Sequence, residues 1–391
     1  MKSLFKKVMT LVLVIGLVLP LAACGQTNGP AASSSTTQTE KKTPDKIKIG
    51  VSIWSSTDVL GSQCKRILDL AAEALGIEIQ YVDQAHVSEK VTASVEQLVA
   101  AGCQGIIICN SADSEMTSAI KTANNAGVYL AQFFRIIDKE ANADIYKIAT
   151  DSKYMIGAVH ENEVQNGENL VKMLLDRGDR NIGLIGWEQG DATWLGRWKG
   201  YQNGVEKWNK ENPSDQAKLS EPQYAGTSSE GGSKAAEALM AADPTLDALI
   251  PAGGGGDPLL GAVAAVERKG KTKDIDIVST DFLPDLGERL ENGSIAGQSG
   301  GHFCDPLYSL LLVYNAIRGK NTDIAGKFVD FESPYINVSS PKEYAGYDQY
   351  FVQNLPYTKD EIKKMADLSI EELRDVASKL SIKDAQERAG K

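Results

Sequence analysis

From residue 46 onward the chain alternates two patterns. Short runs rich in Ile, Val and Leu are separated by longer segments whose apolar residues recur with helical spacing. The short runs read as strands and the longer segments as amphipathic helices. In the first half, strands are predicted at 47–53, 77–82, 105–109 and 128–134, with helices at 59–75, 88–101 and 113–126. A short strand is expected at 147–150 and a long helix at about 155–175. The alternation then restarts, with strands at 181–187, 223–225, 246–251, 275–280 and 295–298 and helices at 194–208, 229–240, 258–268 and 306–317. Nearly continuous apolar strands between helices imply parallel sheets covered on both faces. Two halves of similar size suggest two lobes built on one plan, although no strict sequence repeat is visible. The stretch 357–391 is charged and helix-prone, and is expected to pack on the surface of one lobe.

The most informative strand is Ile275-Asp276-Ile277-Val278-Ser279-Thr280, which ends at Asp281 before Leu283-Pro284-Asp285 opens a helix. In an open α/β sheet the carboxyl ends of strands face the ligand crevice, where a carboxylate accepts hydrogen bonds from hydroxyl groups. Asp is also a favoured helix N-cap, and position alone does not separate the two roles.

The N-terminus follows a different pattern. Lys2, Lys6 and Lys7 precede an apolar run over 8–21, of signal-peptide length and short for a membrane span. It ends Leu21-Ala22-Ala23-Cys24, which resembles the bacterial lipoprotein box: residues 1–23 would be removed and Cys24 would carry a diacylglycerol. Two acyl chains suffice for stable anchoring where one does not. Residues 24–45, rich in Ser, Thr, Gln and Ala, read as a flexible tether.

The full chain of 391 residues carries a formal charge of −11, which argues against a nucleic-acid partner. Cys64, Cys103, Cys109 and Cys304 would allow three complete disulfide pairings in an exported protein, but their apolar surroundings suggest buried free thiols. With no Cys-x-x-Cys pair, no zinc site is expected, nor any other metal or cofactor.

His86, His160 and His302 belong to no His-Glu-x-x-His motif, and there is neither a Gly-x-Ser-x-Gly elbow nor a phosphate-binding loop ending Gly-Lys-Ser/Thr. These absences argue against an enzyme. The Gly253–Gly256 run follows a strand and precedes a helix, a place where backbone can approach a ligand. Polar and aromatic residues gather at strand ends: Trp54 and Ser56, Asn110, Gln132 and Arg135, then Trp187, Asp191, Trp194 and Arg197, and finally Asp257, Asp281 and His302. Such a set suits a neutral, hydroxyl-rich ligand. Carboxylates, amides and guanidiniums satisfy hydroxyls in pairs, and an indole face stacks on the apolar side of a sugar ring. Each Trp is equally suited to core packing, Arg197 to a salt bridge and His302 to a structural role.

These residues resemble those of the ribose- and galactose-type solute-binding proteins of bacterial sugar ABC transporters, over about 46–320. Thr150-Asp151-Ser152-Lys153 looks like the family's first hinge crossing. Asp281-Phe282-Leu283-Pro284-Asp285 looks like its Asp-x-x-Pro-Asp/Glu segment, whose first Asp binds sugar hydroxyls. Asn110 falls at a ligand Asn, and Arg197 before Gly200-Tyr201 resembles the Arg that precedes Gly-Phe/Tyr. Trp54-Ser55-Ser56-Thr57-Asp58, Gln132-Phe133-Phe134-Arg135, the glycines before Asp257, and Gly301-His302 depart from the pattern, so ribose or galactose does not transfer as the ligand.

The resemblance implies two Rossmann-like lobes joined by three hinge crossings. The first lobe would comprise 46–150 plus 301–329, and the second 151–300 plus 330–391 with the tail. It further implies a sugar or polyol bound between the lobes and a membrane ABC permease as partner. The chain is then expected to be a monomer, lipid-anchored at the outer face of the cell membrane or in the periplasm. A ligand-sensing receptor module shares these features. A secreted hydrolase lacks its motifs here, and a sugar-responsive repressor would need a DNA-binding headpiece.

Overall fold

The computed structural model of the chain describes residues 46–390, apart from 86, 254–256 and 321–327. The expected signal segment, the tether with Cys24, and Gly254 to Gly256 lie outside the described residues, as does His86.

The first half runs β1 (Lys48–Ile53), α1 (Val59–Leu75), β2 (Glu78–Asp83), α2 (Ser88–Ala100), β3 (Gly105–Ile108), α3 (Asp113–Ala126), β4 (Tyr129–Phe133), α4 (Ala143–Asp151) and β5 (Met155–Glu161). The second half continues with α5 (Glu163–Arg177), β6 (Asn181–Gly186), α6 (Ala192–Glu211), β7 (Lys218–Leu219), β8 (Gln223–Tyr224), α7 (Ser229–Ala242), β9 (Ala248–Pro251), α8 (Asp257–Arg268), β10 (Asp276–Thr280), α9 (Leu286–Asn292) and β11 (Gly297–Gly300). Helix α10 (Asp305–Ile317), β12 (Val329–Ser333) and β13 (Ile336–Val338) follow. The chain closes with α11 (Pro341–Tyr347), a π-helical turn at Asp348–Gln353, α12 (Lys359–Met365), α13 (Ile370–Ser378) and α14 (Ile382–Ala389).

Two sheets result, with strand orders β12-β5-β4-β3-β1-β2 and β13-β11-β10-β9-β6-β7. Every pairing is parallel except β11 with β13. The series β2-β1-β3-β4-β5 and β7-β6-β9-β10-β11 match strand for strand, so β1 answers to β6, β4 to β10 and β5 to β11. The duplicated plan expected from the alternation is present.

Three expectations are overturned: the strand at 147–150, the first hinge crossing at Thr150-Asp151-Ser152-Lys153, which precedes a strand of the first sheet, and the confinement of the tail to one lobe. Residues 147–150 lie in helix α4, and 155–161 form strand β5 rather than the start of a long helix. Met155 to Val159 are all buried, which suits a central strand and not an amphipathic helix. Gly157 lets β5 press against β12, because a Cβ there would meet the Val329 carbonyl.

Both β5 and β12 therefore belong to the first sheet. Helix α10 packs against that sheet through a nearly continuous apolar surface. The tail is not confined to one lobe: α11 packs on α9 beside the second sheet, while α12 packs on α1 and α13 on β12. All four cysteines expected as free thiols are free and buried.

Helices α5 and α6 touch backbone to backbone. A Cβ on Gly200 would collide with the Val164 carbonyl, and one on Gly167 with the Arg197 carbonyl. This contact brings Arg197 on α6 against Glu163 at the start of α5. Gly200→Ala is expected to lower stability by about 1–3 kcal/mol through overpacking, measurable by urea denaturation.

Candidate ligand-binding site

Each sheet ends in the same local design. Trp54 follows β1, and its carbonyl accepts the Ala85 amide; Trp187 follows β6, and its carbonyl accepts the Gly226 amide, both at 2.8 Å. Four residues after each Trp comes an Asp that caps the next helix: Asp58 accepts from the Gly61 amide at 2.7 Å, and Asp191 from the Trp194 amide at 2.8 Å. The Trp54 indole also donates to Asp58 at 2.5 Å. Trp187 lies beneath the Arg197 guanidinium, 5.3 Å from the ring centre.

The matched strands β4 and β10 share a rarer feature. Phe134 and Asp281, each the first residue past its strand, adopt left-handed backbone with φ of 60° and 67°. The Phe134 amide donates to the Val159 carbonyl on β5 at 2.8 Å, and the Asp281 amide to the Ser299 carbonyl on β11 at 2.7 Å. A left-handed Phe is uncommon, and such strain concentrates at functional sites. It sets the Phe134 ring between Trp54 and His302, at 5.6 and 4.9 Å.

Between these strand ends lies a buried polar cluster. Arg197 makes a two-point ion pair with Glu163, Nε to Oε2 at 2.7 Å and Nη2 to Oε1 at 3.1 Å. The Tyr335 hydroxyl donates to Glu163 at 3.1 Å and receives from Arg197 at 3.3 Å. His302 stands against Tyr335, 4.9 Å between ring centres. Its Nε2 is 3.6 Å from Asp281 Oδ1 and 3.8 Å from Glu161 Oε1.

On the first-sheet side, Gln132 Nε2 donates to Asn110 Oδ1 at 2.7 Å, and Asn110 donates to the Ala112 carbonyl at 3.1 Å. Arg135 donates to the Phe134 carbonyl at 2.8 Å.

Burial sets the protonation states. It pushes the His302 imidazole down to about 3, helped by Arg197 and Arg135, so the ring is neutral near pH 7. Burial raises the Asp281 carboxyl to about 6; Arg197 pulls it back, while Glu163 and Asp58 add to the rise. Burial also opposes the charge on Arg197, yet Glu163 and Tyr335 hold it well above its ordinary value. Glu161 and Asp305 sit within hydrogen-bonding reach, and burial raises both, Asp305 to about 7. Two such carboxyls share a proton rather than both ionise. Ser333 donates to Asp305 at 2.6 Å.

Of the residues expected from sequence, Trp54, Asn110, Gln132, Arg135, Arg197, Asp281 and His302 join or adjoin this cluster. Trp194 does not: it is 0% exposed in the second lobe's core, against Gly186 and Tyr201, and has no open face for a ring to stack on. Asp191 caps α6, and Ser56 gives its amide and hydroxyl to Asp83. The Asp257 side chain lies outside the described residues.

Glu161, Glu163, Asp305 and Tyr335 were not expected, and Phe134 only as part of the strand end Gln132-Phe133-Phe134-Arg135. They stand at the ends of β4, β5 and β12 or at helix starts, and no motif marks them. Their one local signal is position after a strand.

Residues 49–301 match the model of the periplasmic binding protein domain. The chain belongs to this family. Among curated relatives of this binding protein, the ribose import binding protein of Bacillus subtilis (strain 168) is 23% identical over 300 residues, covering 75% of the chain and 88% of the relative. Two solved structures show the same fold at lower identity. A periplasmic solute-binding protein of Actinobacillus succinogenes 130z, with bound D-allose, aligns with a TM-score of 0.65 and 15% identity over 77% of this chain and 100% of its own. A solute-binding protein of Bacillus halodurans C-125, with bound myo-inositol, aligns at 0.63 and 19% over 78% and 98%. The two lobes thus have the type I arrangement. Members of the family are binding proteins, and the family implies a place outside the cytoplasm and partnership with an ABC permease.

Among the described residues, several buried polar atoms of the cluster have no partner: Gln132 Oε1, Arg197 Nη1, Asp281 Oδ1, Glu161 Oε1 and His302 Nδ1. An unmet buried group costs about 1–3 kcal/mol, so these atoms oppose stability until something bonds to them.

Asp281 gives a direct test. Folding raises its pKa from 3.8 to about 6, so the folded state holds the proton more tightly. Its contribution to stability is whole below the unfolded value and is lost as pH rises through the folded one. Asp281→Asn keeps the left-handed backbone, which Asn tolerates. Without ligand, it should match the unsubstituted protein near pH 4 and exceed it by roughly 1–3 kcal/mol near pH 8, in urea denaturation.

Proposed function

We propose that this protein captures a neutral sugar or polyol between its lobes and delivers it to an ABC importer. The observation that carries the reading is the set of buried polar atoms at the facing ends of the two sheets that find no partner among the described residues. Donors and acceptors occur together there, as hydroxyl groups require: Arg197 donates, Gln132 Oε1 accepts and Asp281 accepts when ionised. Both cations of the cluster, Arg135 and Arg197, have carboxylates beside them, and His302 is neutral, so no unmatched cation calls for an anionic guest. The aromatic rings of Trp54 and Phe134 beside the cluster suit the apolar face of a sugar. Sugars and polyols in the solved relatives agree with this reading.

The chain crosses between lobes after β5, after β11 and after β12, and a guest touching both lobes favours their closed arrangement. No covalent step is involved. Cys24, once lipidated, holds the protein at the outer face of the membrane through the tether, and the protein acts as a monomer.

A thermal-shift screen over monosaccharides, disaccharides, inositols and other polyols tests the central claim, because a ligand bound only by the folded state raises Tm. At least one neutral compound should raise it. Calorimetry with that compound should show Asp281→Asn binding weaker by about 1.5–3 kcal/mol, the value of a hydrogen bond to a charged group. Stabilisation by charged solutes alone would sink the reading. Separately, Cys24→Ser is expected to move the protein from the membrane to the soluble fraction on cell fractionation.

A further inference from the structure

The family match ends at residue 301, ahead of β13 and the helices that follow it. Those helices do more than cover a surface. Tyr344 on α11 lies over Gly287 at the start of α9, and its hydroxyl donates to the Pro284 carbonyl at 3.4 Å, so α11 is seated on the loop that begins at Asp281. At the other end, Lys359 pairs with Glu73 on α1, and Arg374 donates to the Asp330 carbonyl on β12 at 3.3 Å. One continuous segment therefore grips both lobes.

Its middle is an aromatic ladder. Phe282, next to Asp281, meets Tyr347 edge to face with ring centres 4.3 Å apart. Tyr347 stacks nearly parallel on Phe351 at 5.2 Å, and Phe351 meets Phe303, next to His302, at 6.2 Å. Tyr347, Phe351 and Phe303 are all buried. Two rings supplied by the C-terminal segment thus connect the residue after Asp281 to the residue after His302. Phe351 lies in the π-helical turn, an irregularity that often marks functional segments.

We propose that residues 339–390 form an interlobe strap, in which Tyr347 and Phe351 are positioning residues that hold the Asp281 loop against the His302–Phe303 crossing and set how far the lobes part. The proposal rests on the reading that the cleft between the lobes holds the ligand. Its test needs no ligand, so the two can fail independently.

Spin labels at Glu89→Cys and Glu230→Cys, exposed at the starts of α2 and α7, report the separation of the lobes by electron–electron resonance in a Cys24→Ser background. Hydrogen exchange over 279–286 reports the loop, whose amides at Asp281 and Leu283 bond to Ser299 and Gln298. Tyr347→Phe keeps the ring and should leave both readings unchanged. Tyr347→Ala should lengthen and broaden the distance distribution and reduce loop protection by roughly tenfold or more, as expected for local opening. Tyr347→Leu, which keeps apolar volume but no stacked ring, should behave like the alanine variant and covers the case in which that variant fails to fold. Unchanged distances and exchange in either folded variant would overturn the proposal. Loss of the fold in both would overturn it as well, since the ladder would then be ordinary core.

Discussion

Arg197 reaches Glu163 because two glycines let α5 and α6 approach until their backbones touch. A guanidinium taken out of water needs a carboxylate in good geometry, and removing either partner leaves an uncompensated buried charge. Here the pair is two-pronged and is completed by the Tyr335 hydroxyl, which arrives from the last crossing between β12 and β13. Trp187 lies under the guanidinium as a flat apolar support. The arginine is thereby fixed with one nitrogen, Nη1, unpaired among the described residues. The second lobe thus presents a rigid donor, and the rest of the cluster is arranged around it.

Duplication explains where the other groups come from. Trp54 and Trp187 close equivalent strands, Asp58 and Asp191 cap equivalent helices, and Phe134 and Asp281 occupy equivalent left-handed turns. The same backbone device thus points a ring into the buried cluster from one lobe and a carboxylate from the other. The halves share geometry and differ in chemistry, which allows a single fold repeat to build an asymmetric site. Asn110 and Gln132 extend the polar set on the first lobe, where each satisfies part of the other. His302, at the second crossing, stays neutral within reach of two carboxyl groups and bridges the aromatic and polar parts.

Most of the architecture was legible because strand and helix periods differ and the chain alternates them cleanly. Asp281 was legible for the same reason, since a carboxylate at the end of a parallel strand is a local pattern. The stretch 147–161 misled because Ile148 and Ala149 imitate a short strand, while the true strand β5 is apolar from Met155 to Val159 and shows no alternation before His160. Trp194 was indistinguishable in sequence from a stacking residue; only the close approach of Gly186 shows that it fills the core. Glu161, Glu163 and Tyr335 owe their place to chain crossings far apart in sequence, and no local pattern carries that information. The pairing of Trp54 with Trp187 was hidden by the different residues around them, and emerges once the strands are matched.

The order of strands in the first sheet has a consequence for how the molecule comes into being. Its edge strand β12 and the helix α10 that covers it come after strands β6 to β11 of the second sheet in the chain. Parallel pairing between such distant segments is slow, because a long loop must close before any contact rewards it. During synthesis strands β6 to β11 emerge while the earlier half still waits for residues 305–333 to leave the ribosome. A nascent chain of this design remains without its completed N-terminal half until late, the condition in which a polypeptide can still be threaded through a narrow channel.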